Sequence, residues 1–119
     1  MDNKIKFFVS SPENQYLDRK SAIIKPLDIL RHLVAFANAD GGLLVIGVED
    51  NGEITGFNNS KAHKIEEFKN IALIKLKDTP ILTKYEIFDV KNKKGENDKI
   101  LVISVDPAYD RVIKSYDNN

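Results

Sequence analysis

The four residues Leu43-Leu44-Val45-Ile46 constrain the fold more than any other stretch. The run is short, apolar and bounded by Gly41-Gly42 and Gly47, which reads as a buried strand. The segment before it, ending at Asn38-Ala39-Asp40-Gly41-Gly42, reads as the C-terminus of a helix closed by a turn, because glycine takes the left-handed conformation that ends a helix. After it, Gly47-Val48-Glu49-Asp50 leads into Asn51-Gly52, a dipeptide suited to a two-residue hairpin turn. A return strand is expected over 52–57. Asn38, Asp40, Gly41, Gly42, Gly47 and Gly52 are therefore structural turn residues, and two carboxylates stand at the end of a buried strand.

The rest of the chain supplies partners for that strand. Tyr16 to Lys20 alternates and reads as a first strand. Phe7-Phe8-Val9 is an apolar patch that fits either a short strand or a docking helical turn. Pro26 opens a helix of close to fourteen residues, with Asp28 in its first turn. Leu27, Leu30, Leu33, Val34 and Ala37 form its apolar stripe, widened by Ile29 and Phe36. A second main helix is expected over 61–75, with Ser60 as N-cap and Ile65, Phe68, Ala72 and Leu76 facing inward. Asp78-Thr79-Pro80 breaks it. Strands are expected over 81–90 and 99–105, joined by the polar loop 92–98. The order implies an α+β domain with a mixed, mostly antiparallel sheet and two main helices.

Balanced charge narrows the function classes. With 18 Lys+Arg against 18 Asp+Glu the formal net charge is zero, so nucleic acid cannot be gripped by total charge and a local patch is needed. The absence of cysteine excludes a disulfide and a thiolate metal site. No apolar run reaches the ~18 residues of a membrane span and no signal pattern opens the chain, so a cytoplasmic, membrane-free protein is expected. The sequence divides into a lead-in (1–12), the α+β domain (13–106) and a tail (107–119). Because 115–119 has no closing element of its own, the tail reads as cut from a longer chain.

Three acids are candidates for chemistry. Glu13 and Asp18 flank the first strand and Asp50 ends the central one; if those strands are neighbours, the carboxylates converge. Oxygen ligands of this kind suit Mg²⁺ or Mn²⁺, which can activate water and stabilise charge on a phosphodiester. Lys20, two residues beyond Asp18, shares its strand face and is placed to steady a phosphate. Against this stands the plainer reading of solvated acids at strand ends. The loop lysines Lys91, Lys93 and Lys94, and Lys61, Lys64, Lys69, Lys75 and Lys77 of the second helix region, are either a solvated face or contacts to nucleic acid. His32 and His63 lie on separate helices with no third partner at metal spacing, and read as ordinary helix residues. Gly41-Gly42 follows a helix C-terminus, the negative end of its dipole, so a phosphate is disfavoured there and an ATPase has the least support.

The pattern Glu13-x4-Asp18-x-Lys20, then Ala35-Phe36-Ala37-Asn38-x-Asp40-Gly41-Gly42, then Ile46-Gly47-Val48-x-Asp50-x-Gly52-x-Ile54-x-Gly56, resembles the Schlafen-type AlbA-like domain. The resemblance implies a nucleic-acid-binding domain of a bacterial-type transcriptional regulator, placed before a winged-helix segment, and pairing of domains as a homodimer. In the animal relatives the similar domain is an RNA endonuclease with three acids, which by motif position fall on Glu13, Asp18 and Asp50. The chain departs from the pattern in having Asp18 where Glu is usual, a shorter reach, and Arg19 where an aromatic residue is commoner. Three readings follow: a DNA- or RNA-binding domain using Lys20, Lys91, Lys93 and Lys94; a metal-dependent nuclease using Glu13, Asp18 and Asp50 with Lys20 as helper; and a dimerisation or effector-sensing module.

Overall fold

The computed structural model describes residues 2–109. The elements are α1 (Asn3–Ser10), β1 (Leu17–Lys20), a 3₁₀ turn (Pro26–Ile29) running into α2 (Leu30–Asn38), β2 (Gly42–Ile46), α3 (Ile65–Lys75), β3 (Thr83–Lys91) and β4 (Asn97–Val105). The strands form one sheet in the order β1-β2-β4-β3. β1 runs parallel to β2, while β2 with β4 and β4 with β3 are antiparallel. This is the expected α+β class with a mixed, mostly antiparallel sheet.

The apolar run behaves as its composition requires. β2 and β4 are the two inner strands, so both of their faces must be covered. Leu44 and Ile46 of β2, with Leu101, Ile103 and Val105 of β4, pack against α2 and α3. Val45, with Ile100 and Val102, faces the other way and meets Phe8 and Val9 of α1. The undecided Phe7-Phe8-Val9 patch is therefore helical. Asp2 caps α1, its side chain accepting the Lys4 N–H at 2.7 Å. Phe8 and Val9 are buried, and Phe7 stays half exposed.

Several boundaries differ from expectation. The helix from Pro26 begins as a 3₁₀ turn, and Leu27 is exposed while Ile29 is fully buried. The second main helix starts at Ile65, not at 61. Lys64, not Ser60, is its N-cap, because the Glu67 carboxylate reaches back to accept the Lys64 N–H at 2.8 Å. The His63 N–H meanwhile donates to Ala22 O at 2.8 Å, which holds that stretch out of the helix. β3 and β4 extend to 91 and start at 97, shortening the loop between them.

The hairpin after β2 is also shifted. Gly52 N–H donates to Glu49 O at 2.9 Å and Glu49 N–H to Glu53 O at 2.9 Å, so the loop holds Asp50, Asn51 and Gly52, and only Gly52 takes a positive φ, 86°. That is a three-residue loop with glycine in the left-handed position, not a two-residue turn on Asn51-Gly52. No return strand forms over 52–57. A single Val48–Ile54 bridge is made, and Thr55 and Gly56 both donate to Gly47 O. Gly47 and Gly56, at φ 103° and 66°, bend the chain out of any regular ladder. Gly41 is a true turn residue at φ 84°, its N–H closing the end of α2 on Phe36 O at 2.9 Å. Gly42 is not. It is the first residue of β2, and a Cβ there would run into the Phe36 ring. Asn38 is the last residue of α2, and Asp40 accepts the Tyr109 O–H at 3.2 Å. The tail from 110 onward, 115–119 included, lies outside the described residues.

Candidate functional site: a carboxylate rim

Parallel pairing sets Asp18 level with Leu44 and Lys20 level with Ile46. The residues that leave β2 therefore pass the end of β1, and the hairpin loop carries Asp50 back toward it. Glu13 arrives by a different route. Asn14 and Leu17 bond each other's backbone in both directions (3.1 and 3.3 Å), and the Asn14 side chain accepts the Tyr16 N–H at 2.7 Å. This tight turn folds Glu13 back alongside β1. The Arg19 N–H then donates to both Glu13 Oε2 (2.8 Å) and Asp18 Oδ1 (2.9 Å). The result is that Glu13, Asp18 and Asp50 each offer a carboxylate oxygen within 4.8 Å of the other two. Glu13 and Asp50, both exposed, line a shallow cleft of about 320 Å³ between the α1–β1 loop and the hairpin, while Asp18 is half-buried and does not line it.

The electrostatics of the rim are those of acids forced together. The hydrogen bond with Asp18, then partial burial and the charges of Asp18 and Asp50, hold the Glu13 carboxyl above its ordinary range against the pull of the Arg19 N–H. For Asp18, burial pushes the other way from the outcome. The hydrogen bond with Glu13, the Lys20 ammonium, the Arg19 N–H and His32 outweigh it and bring Asp18 below the usual range. Glu13 thus keeps its proton longer and Asp18 ionises first. Lys20 Nζ lies 3.6 Å from Asp18 Oδ2, and His32 Nδ1 lies 3.3 Å from the same oxygen. Burial, then the Lys20 and Arg31 charges, hold His32 below its ordinary value, with Asp18 opposing.

The donor set fits a hard divalent cation. All three groups are carboxylates, which Mg²⁺ and Mn²⁺ take as ligands, and a cation would relieve the crowding that lifts Glu13. Around them the sheet is closed: Arg19 is almost fully buried, and its guanidinium donates to Phe8 O at 2.8 Å and to Ser11 O. It ties the end of α1 to the strand that carries Asp18. Sequence reasoning assigned neither Arg19 nor His32 a role. The one signal for Arg19 was a charge at a position whose strand neighbours alternate into the core.

The basic loop is differently placed. Lys91 Nζ is engaged by Asn97 Oδ1 at 2.5 Å and Lys93 Nζ by Glu53 Oε1 at 3.3 Å. The Lys93 N–H also donates to Ile54 O at 2.8 Å, which ties the loop to the far side of the same hairpin that holds Asp50. Lys94 is exposed, its N–H accepted by Asn92 Oδ1 at 2.9 Å. Sequence reasoning also missed Asp98, read only as a loop end. It is buried and accepts from Phe57 N (2.7 Å), Lys99 N (2.7 Å), Asn92 Nδ2 (3.0 Å) and Asn58 N (3.4 Å). Burial raises its pKa, but those donors together bring it below the usual carboxylate range.

A mixed four-stranded sheet, helices on both faces and three acids gathered where the parallel pair ends define an α+β domain with a carboxylate rim. The chain belongs to the Schlafen, AlbA_2 family, which it matches over residues 13–119. No curated protein matches it. The family supports a nucleic-acid-related function at that coarse level. Among the described residues no helix is long and apolar enough to cross a membrane.

Proposed function

We propose that this domain engages nucleic acid at the carboxylate rim, with Glu13, Asp18 and Asp50 holding a divalent cation of the Mg²⁺ or Mn²⁺ type against a backbone phosphate. The observation that carries this reading is the convergence of three carboxylate oxygens within 4.8 Å, from three separate stretches of chain. When bound, such a cation neutralises phosphate charge and lowers the pKa of a water. The protein's own groups do the rest. The Arg19 N–H orients Glu13 and Asp18, and Lys20 supplies a positive charge beside the phosphate position. Lys91, Lys93 and Lys94, on the loop tied to the hairpin, add backbone contacts along the strand of nucleic acid. In a regulator this surface would be the DNA contact.

A second reading, metal-dependent cleavage of a phosphodiester, is favoured by the same three acids together with Lys20 at 3.6 Å from Asp18. A single-stranded oligonucleotide titrated with and without Mn²⁺ tests both. Binding that strengthens with Mn²⁺ and loses that gain in Asp50→Asn supports the proposal, and cleavage products in the wild type but not the variant select the second reading. Equal affinity in EDTA and Mn²⁺, unchanged in Asp50→Asn, refutes the cation-mediated contact. Asp50 is exposed at the loop corner, where asparagine is equally at home, so the variant folds.

A further inference from the structure

We infer that two adjoining cavities at the base of the β3–β4 hairpin form one site for a nucleoside monophosphate, separate from the carboxylate rim. The first cavity, about 470 Å³, is lined by Phe57, Asn58, Val90, Asn97 and Asp98 among others. Its size is that of small-molecule sites, about 300–1,000 Å³. The second, about 250 Å³, is lined by Asn58, Asn59, Ser60, Asn92 and Lys94 among others. Asn58 is common to both. The Asn92 Nδ2–Asp98 Oδ2 hydrogen bond of 3.0 Å joins the wall of one to the wall of the other.

The polar groups divide into a saturated frame and free contacts. Asn92 donates to Glu96 Oε1 at 3.2 Å and to Asp98 Oδ2, and its own oxygen accepts the Lys94 and Glu96 N–H groups at 2.9 and 3.1 Å. Asp98 already accepts four donors. Both side chains are buried, so they fix the walls in advance of any ligand, which lowers the cost of binding. The exposed groups are the reverse. Among the described residues, Lys94 Nζ, Ser60 Oγ and Asn59 Nδ2 make no hydrogen bond. Glu96, the one acid on that wall, is held by Asn92. Three free donors beside a held acid suit the acceptor oxygens of a phosphate. The first cavity differs. Phe57 and Val90 make it partly apolar, and the Phe57 ring is set edge-on to Phe68 with centroids 6.1 Å apart. Its Asp89 and Lys99 charges pair with each other. Asn58 Nδ2 donates to Asn97 O at 2.7 Å and Asn97 Oδ1 accepts from Lys91 Nζ, which leaves Asn58 Oδ1 and Asn97 Nδ2 free. An aromatic face beside one fixed acceptor and one fixed donor matches the face and edge of a nucleobase. The base therefore takes the first cavity, the phosphate the second, and the sugar passes Asn58.

Amide NMR of the whole chain, titrated in EDTA with adenosine monophosphate, adenosine and ribose 5-phosphate, tests the site. The monophosphate is expected to shift amides on both walls, over 57–60 and 89–99, and to bind more tightly than either fragment. Lys94→Gln changes an exposed side chain that bonds nothing in the fold. It should weaken the monophosphate about tenfold by removing a charge-assisted hydrogen bond and leave adenosine unchanged. Asp50→Asn should bind the monophosphate as wild type does. No shifts at millimolar monophosphate, shifts centred on Glu13 and Asp50, or equal affinity in Lys94→Gln overturn the inference, whatever Mn²⁺ does at the rim. A short single-stranded oligonucleotide with and without a terminal 5′-phosphate separates the two sources of the ligand. Phosphate-dependent shifts of the same amides assign the site to strand ends; shifts with the free monophosphate alone assign it to a soluble nucleotide.

Discussion

Two acidic sites in this small domain are built on opposite logic. Asp98 is buried and surrounded by donors: two backbone N–H groups at 2.7 Å, an asparagine amide at 3.0 Å and a further N–H at 3.4 Å. It staples the 56–58 segment to the start of β4 and to the 92–96 loop. At the rim, Glu13, Asp18 and Asp50 face one another, with the donors spent on two of them, the Glu13 carboxyl held above its ordinary range and Asp18 below it. Satisfied charge gives stability, whereas crowded charge of one sign gives up stability for the capacity to bind something positive. The two sites are thus distinguished by their partners and not by residue type or burial alone.

The largest effect is expected where the cage is physically overfilled. Gly56 has a φ of 66°, and a Cβ there would drive into the Asp98 carboxylate. Gly56→Ala should cost upwards of about 3 kcal/mol through strain and a broken cage, read from urea unfolding. Asp98→Ala comes next, at about 2–4 kcal/mol, because buried donors lose their acceptor. The rim acids should behave in the reverse sense. Asp50→Asn should leave stability unchanged or raise it by a few tenths of a kcal/mol, since it removes like-charge repulsion, while Mn²⁺ binding is lost. A rim variant as destabilising as Asp98→Ala would erase the distinction.

Acid sensitivity sharpens the same contrast. The folded pKa of Asp98 lies below its ordinary value, so its ionised form is the one the fold favours. That contribution is complete above the unfolded value of about 3.9 and drains away as pH falls through the lower folded value. The stability gap between wild type and Asp98→Asn should therefore be widest at neutral pH and narrow below about pH 4. A gap independent of pH down to about pH 2 would mean that charge is irrelevant to the cage. The smallest effect on the comparison is expected from Arg19→Leu. It should cost about 1–3 kcal/mol by freeing the Phe8 and Ser11 carbonyls, and weaken Mn²⁺ binding only indirectly, because the Arg19 backbone N–H that holds Glu13 and Asp18 remains.

Much of this was legible in the sequence, for definable reasons. The central strand could be read because β2 is buried on both faces, so four consecutive residues had to be apolar. The neighbour relation of the first strand, on which the gathering of Glu13, Asp18 and Asp50 depended, came out as expected. What stayed hidden rests on contacts between distant stretches. Asp98 meets Phe57 and Asn58 across some forty positions, and His32 meets Asp18 from another element. No local pattern encodes either pairing. The hairpin was displaced by a residue because Asn-Gly propensity yielded to the bonds that Glu49 makes with Gly52 and Glu53. Lys91 and Lys93, legible only as a basic tip, are engaged by Asn97 and Glu53, which local charge counting cannot reveal.

Anomalous scattering from a crystal soaked in Mn²⁺ locates any cation held by the three acids. One strong peak is expected at the rim, about 2.0–2.6 Å from carboxylate oxygens of at least two of Glu13, Asp18 and Asp50, and no such peak in Asp50→Asn. A rim without a peak in the wild type, or one equally occupied in the variant, would contradict the cation-mediated contact.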